Sequence, residues 1–103
     1  MTRNKTTKEK KPLFVPLKTE YFEAFVSGAK QEEFRPLGRG WNQRTCFAGR
    51  PVTISKGYGK KYRRDGFIIG VRIVDEPNDL PGWVECYGKH RAPCIAIKIH
   101  LHP

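Results

Sequence analysis

The 103 residues contain no stretch of the ~18 or more apolar residues that a membrane-spanning helix needs. The opening segment, MTRNKTTKEKKP, is charged but lacks the apolar block of a secretory signal. Cysteine is sparse: Cys46, Cys86 and Cys94 are odd in number and form no CxxC pair. That usage favours reduced thiols in a cytosol-like compartment, so a soluble, cytoplasmic, monomeric protein is expected. There is no internal repeat, and no basic amphipathic helix that would point to a membrane surface.

Acidic residues are also short. Ten Asp and Glu face twenty Lys and Arg, a formal net charge of +10. Residues 1–11 carry +4 of this and read as a mobile basic arm, which leaves +6 for the rest of the chain. An excess of this size favours a polyanionic partner, because each neutralised phosphate releases counterions. Cys86, His90 and Cys94 form a C-x3-H-x3-C string, with Cys46, His100 or His102 as a fourth ligand for zinc. Small buried thiols explain the cysteines as well, and neither a metal nor a cofactor is expected.

What is present is a succession of short elements in residues 12–103, read as one domain. Residues 13–17 (LFVPL) suit a first strand at a sheet edge, because Pro16 cannot donate to a ladder. Residues 18–26 switch to helical spacing, with Tyr21, Phe22, Phe25 and Val26 on one stripe, Thr19 as N-cap and Gly28 as C-terminal glycine. Strands are expected at 32–35, 51–55 (PVTIS), 66–74 (GFIIGVRIV, with a bulge or a close backbone approach at Gly70), 83–87 and 94–101, the last closing the sheet. A short helical turn is expected at 41–47, and 56–64 reads as a basic loop. Five or six strands with one or two short helices predict a mainly β (α+β) fold, a small curved barrel. An open sheet with a helix on one face is the alternative.

Two stretches carry candidate chemistry. In SGAKQEEFR, strand alternation puts Glu33 and Arg35 on one face and Glu32 and Phe34 on the other, with Phe34 toward the core. Lys30, still in the turn, can swing over the strand start to join Glu33 and Arg35, while Glu32 is read as strand-edge solvation. An ordinary surface ion-pair set is the bland alternative. In KGYGKKYRR, Lys56, Lys60, Lys61, Arg63 and Arg64 interleave with Tyr58 and Tyr62. Basic groups contact phosphates and tyrosines offer faces on which bases stack. Ser55 before this loop is a candidate hydrogen-bonding wall residue. Trp41, flanked by Arg39 and Arg44, either stacks a base or seals the barrel, and Trp83 reads as structural.

The spacing Gly28-x-Lys30-x-x-Glu33-x-Arg35 resembles the G-x-K-x-x-E-x-R signature of the ASCH family, placed between the first helix and the following strand. The resemblance extends over about residues 12–101. It implies a PUA-like β-barrel whose helices flank a cleft lined by the signature residues. It also implies binding of RNA or single-stranded nucleic acid, with a base or nucleotide in the cleft. Some small members of the family are hydrolases, either ribonucleases or amidohydrolases acting on N4-acetylcytidine, a modified nucleoside. Here that would make Lys30 and Glu33 the catalytic pair. The acetylcytidine enzymes carry a threonine three residues after the motif lysine, whereas this chain has Glu33 there.

Overall fold

Strand β1 (Leu13–Leu17) buries Val15 and Leu17 and turns Phe14 outward, the alternation that a half-buried strand requires. The computed structural model describes residues 11–89 and 92–103. Residues 1–10 of the expected arm at 1–11 and the His90 member of the cysteine string therefore lie outside the described residues. Helix α1 (Thr19–Ser27) follows at once and drives Phe22 and Phe25 into the core, while Val26 stays exposed. Thr19 is already helical, and Lys18 holds the cap position without a side-chain bond. Its carbonyl accepts from the N–H groups of Tyr21 and Phe22 at 3.0 and 2.9 Å. The reason is tight quarters: β1 runs to Leu17, so the chain turns at Lys18. Gly28 ends the helix in the left-handed region at φ 86°.

Four more strands complete one sheet: β2 (Glu32–Pro36), β3 (Pro51–Lys56), β4 (Arg63–Val74) and β5 (Cys94–Leu101). Their order is β1-β3-β4-β5-β2, with β1 parallel to β3 and the other pairs antiparallel. Strand β5 is thus interior, and β2 rather than β5 forms the edge opposite β1. Arg63 and Arg64, expected in the loop, belong to β4. A register shift between Ile68 and Gly70 provides the bulge expected there. At Gly66 a side chain would collide with the His100 carbonyl of β5, so only glycine permits that approach.

Residues 83–87 are not a strand. They form helix α2 (Trp83–Tyr87), preceded by a 3-10 turn at Pro77–Asp79. Gly82 and Gly88 bracket it with φ of 77° and 82°, which breaks any extended run. Residues 41–47 make a turn in which the Asn42 carbonyl accepts from Cys46 N–H at 2.8 Å.

Val15, Val52, Ile54, Ile68, Ile95, Ile97 and Ile99 fill the core together with Phe22 and Phe25. Each side chain of this kind, when fully buried, is worth about 1.5–3 kcal/mol. The result is a curled half-barrel, mainly β with two short helices. Its free edges, β1 and β2, are tied by a side chain: Arg35 Nη2 on β2 donates to the Pro16 carbonyl on β1 at 2.7 Å. No helix among the described residues is long and apolar enough to cross a membrane.

Candidate nucleotide-binding cleft and basic loop

Glu33 and Arg35 face Ile97 and Ile95 across the ladder to β5, so the ion pair lies on the core side of the sheet. Sequence alternation expects an apolar residue there, and Phe34 was the candidate. The structure inverts the assignment: Glu33 is 7% exposed, while Phe34 stays outside the core cluster. An edge strand explains this. At β2 the core face looks into the gap between the two sheet edges, where charged groups can be paired.

Glu33 is held at both oxygens. Arg35 Nε donates to Oε2 at 2.7 Å, and Lys30 Nζ lies 3.9 Å from Oε1. Arg35 itself contacts Glu33, the Pro16 carbonyl and the Trp41 ring, whose centroid is 4.4 Å from its guanidinium carbon. Lys30 is placed differently. Its ammonium lies 4.6 Å from the Phe34 ring centroid, 5.4 Å from that of Tyr21 and 5.6 Å from that of Phe25. Burial among these rings pushes the Lys30 pKa down, and the neighbouring Glu33 and Glu32 offset only part of it.

These groups open into a cleft of about 230 Å³. Its walls include Leu17, Tyr21, Phe34, Trp83, Cys86 and Tyr87, with Lys18, Lys30, Glu33 and Arg35 as the charged members. Helix α2 supplies one side: the Trp83 and Tyr87 rings pack at 4.6 Å between centroids. Tyr21 Oη and Cys86 Sγ, 3.8 Å apart, join α1 to α2, and that hydrogen bond together with burial lifts the tyrosine to about 12. Gly82 lies against the Tyr21 hydroxyl with no room for a Cβ. Trp83 is 1% exposed, and its indole N–H has no hydrogen-bond partner among the described residues. A buried donor left unpaired costs ~1–3 kcal/mol, so an acceptor within its reach would be favoured.

The basic loop adjoins this cleft through Leu17, whose carbonyl accepts from Gly57 N–H at 2.8 Å. Ser55 is fully buried and donates to the Gly59 carbonyl at 3.1 Å, so it braces the loop and does not line the cleft. Tyr58 is 80% exposed and Tyr62 48%. Lys56 lies 4.5 Å from the Tyr62 ring centroid and pairs with Glu23 at 3.3 Å. Lys61 lies 5.5 Å from the Tyr62 centroid, and Arg63 5.0 Å from that of Phe14. Lys60 is exposed and Arg64 donates to the His102 carbonyl.

The structure therefore gathers Lys30, Glu33 and Arg35 in the cleft and joins the basic loop to its wall at Gly57, whereas Arg64 lines a separate groove with His102. Trp41 and Arg39 are apart, on the far side of Arg35 with Tyr87. Trp41 packs under the guanidinium and against the core, the sealing role, and Gly28 lines a neighbouring groove. Glu32 is not simply solvated: both its oxygens accept from Arg72 at 3.0 Å, which holds its carboxyl below the usual range. Sequence reasoning missed Tyr21, Trp83 and Tyr87 as cleft residues. The glycines flanking 83–87 and the i, i+4 aromatic pair were the available signal for α2. All three cysteines are free, and no cluster of His, Cys, Asp or Glu among the described residues is arranged to hold a metal. No protein-family model matches the chain, and no curated protein matches it either.

Proposed function

We propose that the chain is an ASCH-type, PUA-like domain that binds RNA or other single-stranded nucleic acid. One base enters the cleft, and the basic loop between β3 and β4, with Lys56 and Arg63 at its ends, holds the adjoining phosphates. The observation that supports this most is the convergence of Lys30 and Glu33 with Tyr21, Phe34, Trp83 and Tyr87 around one cleft. A flat base needs aromatic walls for its faces and a few fixed polar groups for its edge. About 230 Å³ falls below the roughly 300–1,000 Å³ of typical ligand pockets, so the cleft suits a base more than a whole nucleotide. Lys30 is the less committed of the two buried cations: it lies 3.9 Å from Glu33, whereas Arg35 donates to Glu33 and to Pro16 at 2.7 Å. Lys30→Ala should lower affinity for a single-stranded RNA oligomer about tenfold or more, with little change in thermal midpoint. Unchanged affinity in an isothermal titration would remove the cleft from the account.

A second reading rests on the Lys30–Glu33 pair in the wall of the cleft. Glu33 is its general base and Lys30 stabilises the charge that develops on the acyl oxygen. On an acylated cytidine, water would add to the acyl carbon while its proton passes to the Glu33 carboxylate. The C–N bond would then break as the Glu33 carboxyl returns that proton to the departing amine. Incubation with N4-acetylcytidine or RNA, followed by chromatography, distinguishes the two. Turnover lost in Lys30→Ala makes the protein a hydrolase, and no turnover by the native chain leaves it a binder.

A further inference from the structure

Beyond Lys30 and Phe34 the cleft continues into a larger groove of about 670 Å³. Tyr21, Lys30, Phe34, Pro81 and Gly82 belong to both walls, so the two spaces share one partition. The far side is formed by Ala24, Gly28 and Ala29 at the end of α1 and by Lys98 of β5. We propose that this groove is a second nucleotide subsite, so that the protein takes two consecutive nucleotides of one strand. It rests on the nucleic-acid reading of the cleft.

Three features point to a nucleotide here. The partition carries the Phe34 ring, which belongs to both spaces; Lys30 covers one face, and the other offers a stacking surface to one base. The ammonium of Lys30 lies over that ring at the junction, where the phosphate linking two nucleotides would pass. The charge balance also favours an anion. Glu32 faces the groove, but both its oxygens are taken by Arg72. Lys98, its ladder partner, has no carboxylate within 4.0 Å among the described residues. Small side chains at Ala24 and Ala29 leave the opposite wall low, and the volume exceeds what the base in the cleft needs.

The test compares common ribonucleosides and N4-acetylcytidine with the corresponding dinucleoside monophosphates by isothermal titration to the full chain. The best dinucleoside monophosphate should bind about tenfold or more tightly than its best constituent nucleoside, and with a salt dependence the nucleoside lacks. Lys98→Ala and, separately, Ala29→Trp, which fills the groove, should erase this gain and leave nucleoside affinity within about twofold. A gain that survives both variants, or equal affinity for nucleoside and dinucleotide, overturns the second subsite while the cleft reading stands; the groove then belongs to another partner or to solvent. Binding of neither class by a chain with an intact circular-dichroism spectrum overturns the cleft reading and the subsite with it.

Discussion

The cleft and the basic loop use the same residue types, lysine, arginine and tyrosine, in opposite physical states. In the cleft Lys30 is 17% exposed, caged by three rings and 3.9 Å from a buried carboxylate. In the loop Tyr58 is 80% exposed, and Lys60 and Lys61 project into water. A desolvated charge interacts strongly, at short range and with little screening, whereas a solvated one interacts weakly and is screened by salt. The difference suggests a division of labour. Under the proposed function, the cleft would select what binds, and the loop would set how strongly phosphates are held.

The largest expected effect comes from breaking the cleft where it doubles as the barrel seam. Arg35→Ala removes the partner of a buried Glu33 together with the bond to the Pro16 carbonyl, and should cost about 3–5 kcal/mol in urea unfolding. Arg35→Lys keeps the charge but loses the forked geometry, so it should recover only part of that stability. A loss within the ordinary surface range of about 0.5 kcal/mol would show that the seam does not hold the edges together.

The loop should respond in the opposite way. Replacing Lys60 and Lys61 together by Ala should leave stability within about 0.5 kcal/mol of the native chain. It should reduce the slope of log affinity against log salt for single-stranded RNA by about two. Lys30→Ala should instead lower affinity and leave most of that slope in place. Equal slopes in both variants would erase the contrast between the two regions.

A smaller effect separates buried from exposed groups by pH. Burial raises the Cys94 thiol from 9.0 to about 11, and Tyr21 rises from 10.0 to about 12. Between those values the folded chain keeps protons that the unfolded chain releases. Stability should therefore fall as pH rises from 9 to 11 through Cys94, and from 10 to 12 through Tyr21. Lys30 acts with the opposite sign: its depressed pKa means that the unfolded chain binds more protons just below 10.5, so its contribution improves with rising pH. Cys94→Ala should flatten the alkaline decline between 9 and 11 in a pH series of thermal melts.

Much of the sheet was legible in the sequence because its signals are local. The β-branched run of β4, the alternation of β1 and the glycine ending α1 each follow from a few adjacent residues. Helix α2 was misread because five residues are too few to show a period, and its bracketing glycines were the better guide. The Glu33–Arg35 pairing was legible from alternation and the place of Lys30 from its reach out of the turn, but their burial was not. Burial depends on β1 and β2, distant in sequence, meeting at Arg35 and Pro16. The aromatic walls at Trp83 and Tyr87 come from a further element brought over that seam by the same closure.

The Trp83 indole N–H offers the most direct measurement. It is a buried donor with no partner among the described residues, in the wall of the cleft, and it yields its own signal in a ¹⁵N correlation spectrum. Titrating a single-stranded RNA oligomer into labelled protein should move this signal and the backbone signals of Lys30, Phe34 and Gly82 along with those of residues 57–62. Shifts confined to the loop, with Trp83 and the cleft unmoved at saturation, would contradict the claim that a base enters the cleft.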